Sequence, residues 1–144
     1  MDEAAFRQVR NDLVARPCPF ERAILRACAG CRLAERRQIA ERELISCATV
    51  AGQERCLTCY ERLKQSFSFA LGRSKITTPL PHAQAMLVQC GGLKGLQQRL
   101  NGAAEVADVD QLLTQALVQW GNSEHFPYSQ VVHAALSLHP GRQR

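Results

Sequence analysis

No apolar run in this chain approaches the roughly 18–20 residues that a membrane-spanning helix needs, so insertion into a bilayer is not expected. The first residues, M-D-E-A-A-F-R, are acidic at once and lack an apolar h-region, which is unlike a secretory signal peptide. Histidine is scarce and unpaired. His82, His125, His133 and His139 never stand in H-x-x-x-H or H-E-x-x-H spacing, so surface or capping roles are expected, with His82 kept as a remote ligand. Phosphate-binding motifs are missing too: Gly91-Gly92-x-x-Gly95 has no preceding strand and no Lys-Ser/Thr pair, and reads as tight packing or a binding turn. Without G-x-S-x-G, Ser-His-Asp or paired-carboxylate patterns, hydrolysis is unsupported, and an enzyme is expected only if a cofactor carries the chemistry. There is no internal repeat and no low-complexity tract.

What is present fits one domain, 1–144. A chain of 144 residues can bury a real core, and 46% hydrophobic with 22% charged residues are ordinary globular values. A cytoplasmic location is expected, where thiols stay reduced and clustered cysteines more often bind metal or act in redox than staple a fold. The odd count of seven cysteines also suits a disulfide framework poorly. The net charge of +5 sits at the front: residues 1–78 hold 14 Lys/Arg against 9 Asp/Glu, while residues 79–144 hold 4 of each. Arginines next to acids (Glu35-Arg36, Glu41-Arg42, Glu54-Arg55) read as salt-bridged solvated faces, with a nucleic-acid or acidic-partner patch as the alternative.

The periodicity predicts an all-α bundle of five to seven helices. A first helix over 2–15 is capped by Asp2, with Phe6, Val9 and Leu13 on one stripe, and Arg16-Pro17-Cys18-Pro19 breaks it. A second runs from Phe20 to about Cys28, and Ala29-Gly30 leaves the next residues as helix or turn. Strong helix formers from Arg32 to Ser46 predict a third, with Leu33, Ala40, Leu44 and Cys47 on one face. Thr49–Arg55 reads as a connection and a fourth helix starts near Cys56, with Gly72 as its stop. Arg73–Pro81 separates a cysteine-rich basic part, 1–72, from a neutral helical part, 82–144. Residues 85–89 are ambiguous between helix and strand. Asp108 to Gln111 is a capping box for a helix through Trp120, and Tyr128 or Ser129 starts the last helix. Tyr60, Phe67, Phe69 and Trp120 are assigned to the core, and the F-P-Y segment at 126–128 to core or to an exposed docking loop.

The chemistry concentrates between Cys28 and Cys59. Cys28-Ala-Gly-Cys31 and Cys56-Leu-Thr-Cys59 are C-x-x-C pairs, Cys47 stands between them and Cys18 lies ten residues upstream. Thiolates converging on a metal are the natural reading, since ligation needs several sulfurs at about 2.3 Å from the ion. The 24 residues between the pairs exceed the spacing of common four-cysteine zinc modules. Helices rather than short strands follow Cys31 and Cys59 in this reading, and Cys47 is a sulfur that a zinc site would not need. Cys-Pro at Cys18 is a setting common around iron–sulfur clusters, although neither ferredoxin spacing is met. A thioredoxin-like dithiol would want a βαβ context that is not indicated. C-L-T-C-Y-E-R-L at 56–63 resembles the helix-starting half of four-cysteine zinc fingers in bacterial transcription factors; that resemblance spans eight residues and carries no function over.

The expectation is thus an iron–sulfur protein, 4Fe-4S, held by four of Cys18, Cys28, Cys31, Cys47, Cys56 and Cys59. Its role would be electron transfer, redox sensing or redox-enzyme assembly with a protein partner. The alternative is a zinc-stabilised adaptor that binds nucleic acid or a protein through its arginine-rich half. A third is a metal-free helical module whose cysteines, Cys90 among them, are packing residues.

Overall fold

Pro17 and Pro19 cannot continue a helix, and the chain between them is drawn into extended pairing instead. The computed structural model describes residues 3–72 and 82–138. Helix α1 (Glu3–Leu13) ends ahead of the prolines, and the short α2 (Glu21–Leu25) follows them. Asp2, Arg73–Pro81 and the tail from His139 lie outside the described residues, as do the side chains of Val9 and Leu13.

The expected third helix is replaced by a β-hairpin, so the fold is mostly helical with a two-stranded sheet rather than all-α. Strands β1 (Ala34–Ile39) and β2 (Arg42–Cys47) are antiparallel, with Ala34 opposite Cys47 and Ile39 opposite Arg42. The turn needs a left-handed residue, and Ala40 supplies it at φ +56°. Helix propensities separate ordinary residues by only about 0.7 kcal/mol each, which tertiary burial readily overrides. Here β2 buries Leu44, Ile45, Ser46 and Cys47 in succession, as a strand covered on both faces does. Its second edge is also used: Cys18 N–H donates to the Ile45 carbonyl at 3.0 Å, Cys47 N–H to Arg16 at 2.8 Å, and Pro17 pairs with Ser46. β2 therefore lies between β1 and the Pro17–Cys18 segment, and brings Cys18 beside Cys47.

Helix α3 (Val50–Ala70) begins earlier than its sequence suggests, because Thr49 caps it by accepting from Gly52 N–H at 3.0 Å. Its buried face carries Gly52, Cys56, Cys59, Leu63 and Phe67. Phe69, assigned to the core by sequence, is 87% exposed. Two residues along a helix turn about 200° of arc, so Phe67 and Phe69 cannot both face inward.

Residues 85–89 are helical. Helix α4 (His82–Met86) passes through a π-helical turn, Leu87–Gly91, into α5 (Gly92–Asn101), so the glycine run is helix interior rather than a flexible turn. A Cβ on Gly95 would stand 2.5 Å from the Val131 carbonyl, which explains that glycine by close helix packing. Asp108 caps α6 (Val109–Trp120) as expected, and α7 (Tyr128–Leu138) closes the bundle. One core cluster joins Phe20, Cys59, Leu63 and Phe67 to Leu93, Leu112, Leu113 and Val131. Phe126 and Tyr128 are buried in it, which removes the docking-loop reading; Trp120 packs at its margin.

Candidate metal centre

Three pieces of backbone deliver four sulfurs to one cavity. The β2 pairing places Cys18 and Cys47. The Cys28–Cys31 turn is pinned to the loop before α6, with Gly30 N–H donating to Val106 and Val109 N–H donating to Gly30, and this places Cys31. The second turn of α3 places Cys56. Cys18, Cys31, Cys47 and Cys56 line the same small cavity, with Phe20, Ile24, Leu33, Gly52 and Val109 as its apolar walls. The space is about 10 Å³, the room of roughly one water molecule. Gly52 is required by this convergence: a Cβ there would lie 2.6 Å from Leu33 Cδ1, 2.8 Å from Thr49 Oγ1 and 3.3 Å from Cys47 Sγ.

The other two candidates are elsewhere. Cys28 is joined by a disulfide to Cys90 in the π-helical turn, their Cα atoms 6.0 Å apart across 62 residues of sequence. Cys59 is fully buried about 60° further round α3 from Cys56, outside the cavity and beside Tyr128, whose hydroxyl donates to the Ser123 carbonyl at 2.6 Å. Each C-x-x-C thus contributes one sulfur to the cavity and sends the other away. The sequence offers no sign of this division, because it depends on contacts 62 and more residues distant.

Burial dominates the thiol chemistry. It pushes Cys18 up to about 12, raises Cys56 strongly with help from neighbouring sulfurs, and raises Cys31. Backbone N–H groups work the other way, Phe20 toward Cys18 and both Leu33 and Asp110 toward Cys31. Such donors stabilise a sulfur that carries negative charge, and are among the levers that tune iron–sulfur ligands. Without a cation these thiols hold their protons; with one they would release them.

Asp110, also in the cavity wall and 5% exposed, is the polar anchor that sequence reading missed. It accepts from Arg55 at 2.8 Å and from Arg32 Nε at 2.9 Å, while Asp108 accepts from the Arg32 backbone N–H at 3.1 Å. Burial opposes its ionised form, yet Arg55 and Arg32 together hold it below the usual carboxylate range. Arg55 Nε is buried with no hydrogen-bond partner among the described residues, one place before Cys56. The remaining arginines of the hairpin are ion-paired: Arg36 with Glu43, Arg37 with Glu35 and Arg42 with Glu3. His82 is held between Arg22 and Arg26 and is absent from the cavity wall.

Among the described residues, no group of three or more His, Cys, Asp or Glu stands close enough to hold a metal ion as placed. The four thiols line one cavity of about 10 Å³ but, as placed, do not converge on a single point. A second, larger cleft of about 470 Å³ adjoins them, sharing Ile24, Cys31 and Ala34 with the inner cavity. No family model, no curated protein and no solved structure matches the chain.

Proposed function

We propose that the protein binds an iron–sulfur cluster, 4Fe-4S, through Cys18, Cys31, Cys47 and Cys56, and works with a protein partner in electron transfer, redox sensing or redox-enzyme assembly. One observation carries the reading: four buried or half-buried thiols ring a single apolar cavity. A single zinc would need the four thiolates to meet at about 2.3 Å from one point, which as placed they do not. A cluster instead gives each thiolate its own iron, and the cavity of about 10 Å³ would have to open to admit it. The donor set and its surroundings support such a group: N–H donors toward Cys18 and Cys31, and walls that are mainly apolar.

When bound, the cluster would supply one-electron chemistry. The chain's own part is to exclude water with Phe20, Ile24 and Val109 and to keep Cys47 and Cys56 buried. Cys18 and Cys31 remain half-buried, so the Cys31 side is where a partner would approach. The cytoplasm is the compartment we assign, since four ligands must stay reduced to load.

The test is iron, acid-labile sulfide and zinc analysis on protein purified without oxygen, with single-cysteine variants. Brown protein with matched iron and sulfide, lost in Cys31→Ala and Cys56→Ala, is the expected result. A colourless protein with one zinc per chain would transfer the site to the adaptor reading, and neither metal would leave a helical module with buried thiols.

A further inference from the structure

We propose that the outer cleft is a thiol–disulfide exchange site, where a small carboxylate-bearing thiol opens the Cys28–Cys90 disulfide by attacking the Cys28 sulfur. This goes beyond the metal reading and uses none of Cys18, Cys47 or Cys56.

The cleft, about 470 Å³, falls within the usual range for small-molecule sites. Its floor is the 27–31 turn itself, and Ala27, Ala29, Gly30, Ala34 and Ala107 leave the approach to Cys28 uncrowded. Ala27, directly before Cys28, is held at φ +61°, a left-handed conformation that L-residues seldom adopt away from functional turns.

The two sulfurs of the bond are unequal, and that decides the direction of attack. Cys90 is 7% exposed and is not part of the cleft wall. Cys28 is half-buried and lines it. Exchange rates depend on which sulfur can be reached, so an incoming thiolate meets Cys28 and expels Cys90.

Charge selects the kind of thiol. Arg36 and Lys94 lie in the wall against a single acid, Glu105, and Arg36 already pairs with Glu43 at 3.0 Å. Lys94 is therefore the cation offered to a bound carboxylate.

The chemistry balances with the thiol as reductant. A thiolate RS⁻ attacks Cys28 Sγ, the Cys28–Cys90 bond breaks, and Cys90 leaves as a thiolate that takes up a proton. A second RS⁻ attacks the mixed disulfide, releasing RSSR and the Cys28 thiolate, which is then protonated. Two thiols are oxidised to one disulfide, and the protein gains two thiols. With RSSR in excess the same steps run backwards.

The experiment treats the folded full chain with 3-mercaptopropionate and with cysteamine, at matched thiolate concentration, and maps alkylated cysteines by mass spectrometry. Opening of Cys28–Cys90 without denaturant, faster with mercaptopropionate, is the expected result. Lys94→Gln, a surface change, should reduce that preference by about two- to fivefold, the size of a partly exposed ion pair. Cys90→Ser leaves Cys28 as a free thiol, so it is treated with the disulfide of 3-mercaptopropionate instead. The Cys28 thiolate should attack it, form a mixed disulfide on Cys28 and release one mercaptopropionate, while the wild-type measurements stand without that variant. A disulfide that opens only in denaturant overturns the proposal. So does an acid-thiol preference untouched by Lys94→Gln.

Discussion

The two C-x-x-C segments look alike in sequence and behave differently in space. Cys28–Cys31 is a turn, pinned by Gly30 and Arg32 to the loop before α6; Cys56–Cys59 is one step along the middle of α3. In the helix the two sulfurs are only about 60° apart around the axis, yet Cys56 lines the four-thiol cavity and Cys59 lies outside it beside Tyr128. In the turn, Cys31 faces the cavity while Cys28 is tied to Cys90. Each pair therefore stands astride a boundary between two environments. Spacing brought the cysteines of each pair close together, but strand pairing and helix packing decide which sulfurs share a site.

The sharpest way to break this comparison is to exchange members within a pair. Cys31→Ala and Cys56→Ala should abolish iron loading by more than tenfold, while Cys28→Ser and Cys59→Ser should retain iron per folded molecule. Metal analysis beside circular dichroism separates loading from folding. Equal losses from both members of either pair would mean that the C-x-x-C units chelate as units, and the division described above would fail.

The next effect belongs to the turn alone. A disulfide closing a loop of 62 residues restrains the unfolded chain by about 4 kcal/mol in the chain-entropy account. Denaturant unfolding should show Cys90→Ser destabilised by a substantial part of that in oxidising buffer, and by far less when wild type and variant are compared under reductant. Cys59→Ser has no such redox dependence, because Cys59 contributes only burial and its contact with Tyr128. The same redox response in both variants would erase the distinction between turn and helix.

What the sequence disclosed follows the same line. The C-terminal elements were legible because their signals are local: Asp108 caps α6, Gly102 at φ +80° ends α5, and α7 starts at Tyr128. The thiol-rich character of 18–59 was visible too; four of its six candidate cysteines line one cavity, while Cys28 and Cys59 lie outside it. The hairpin was not. Its arginine- and glutamate-rich β1 reads as helix, and the reason for a strand lies outside it, in the pairing of β2 with Pro17 and Cys18. Asp110 carries no local signal of its role, since its partners Arg32 and Arg55 are 78 and 55 residues away. Cys90 was read as a packing residue; it is buried, and it is also bonded.

Glycines sharpen the comparison at smaller cost. Gly52→Ala presses a methyl against Leu33, Thr49 and Cys47 Sγ, and Gly95→Ala presses one against the Val131 backbone. Overpacking of this kind costs about 1–3 kcal/mol in either place. The two should differ in consequence: Gly52→Ala should lower metal content as well as stability, and Gly95→Ala should lower stability alone. Thermal unfolding paired with metal analysis decides it, and normal loading in Gly52→Ala would show that the Cys47 wall tolerates displacement.

The finest distinction is a pH slope. Cys18 in the cavity and Cys59 outside it are both pushed by burial up to about 12 in the metal-free fold. A thiol whose folded pKa lies above its unfolded value contributes full stability below the unfolded value, near 9.0, and loses it as pH rises toward 12. Each such thiol should therefore cost about 1.4 kcal/mol per pH unit within that window. In metal-free protein under reductant, Cys18→Ala and Cys59→Ala should each flatten the fall in stability between about pH 9 and 10, where this slope applies. Once a metal holds the cavity thiols deprotonated, the Cys18 contribution to that slope should vanish and the Cys59 contribution persist. If loading removed both, Cys59 would belong to the site; if it removed neither, Cys18 would not be a ligand.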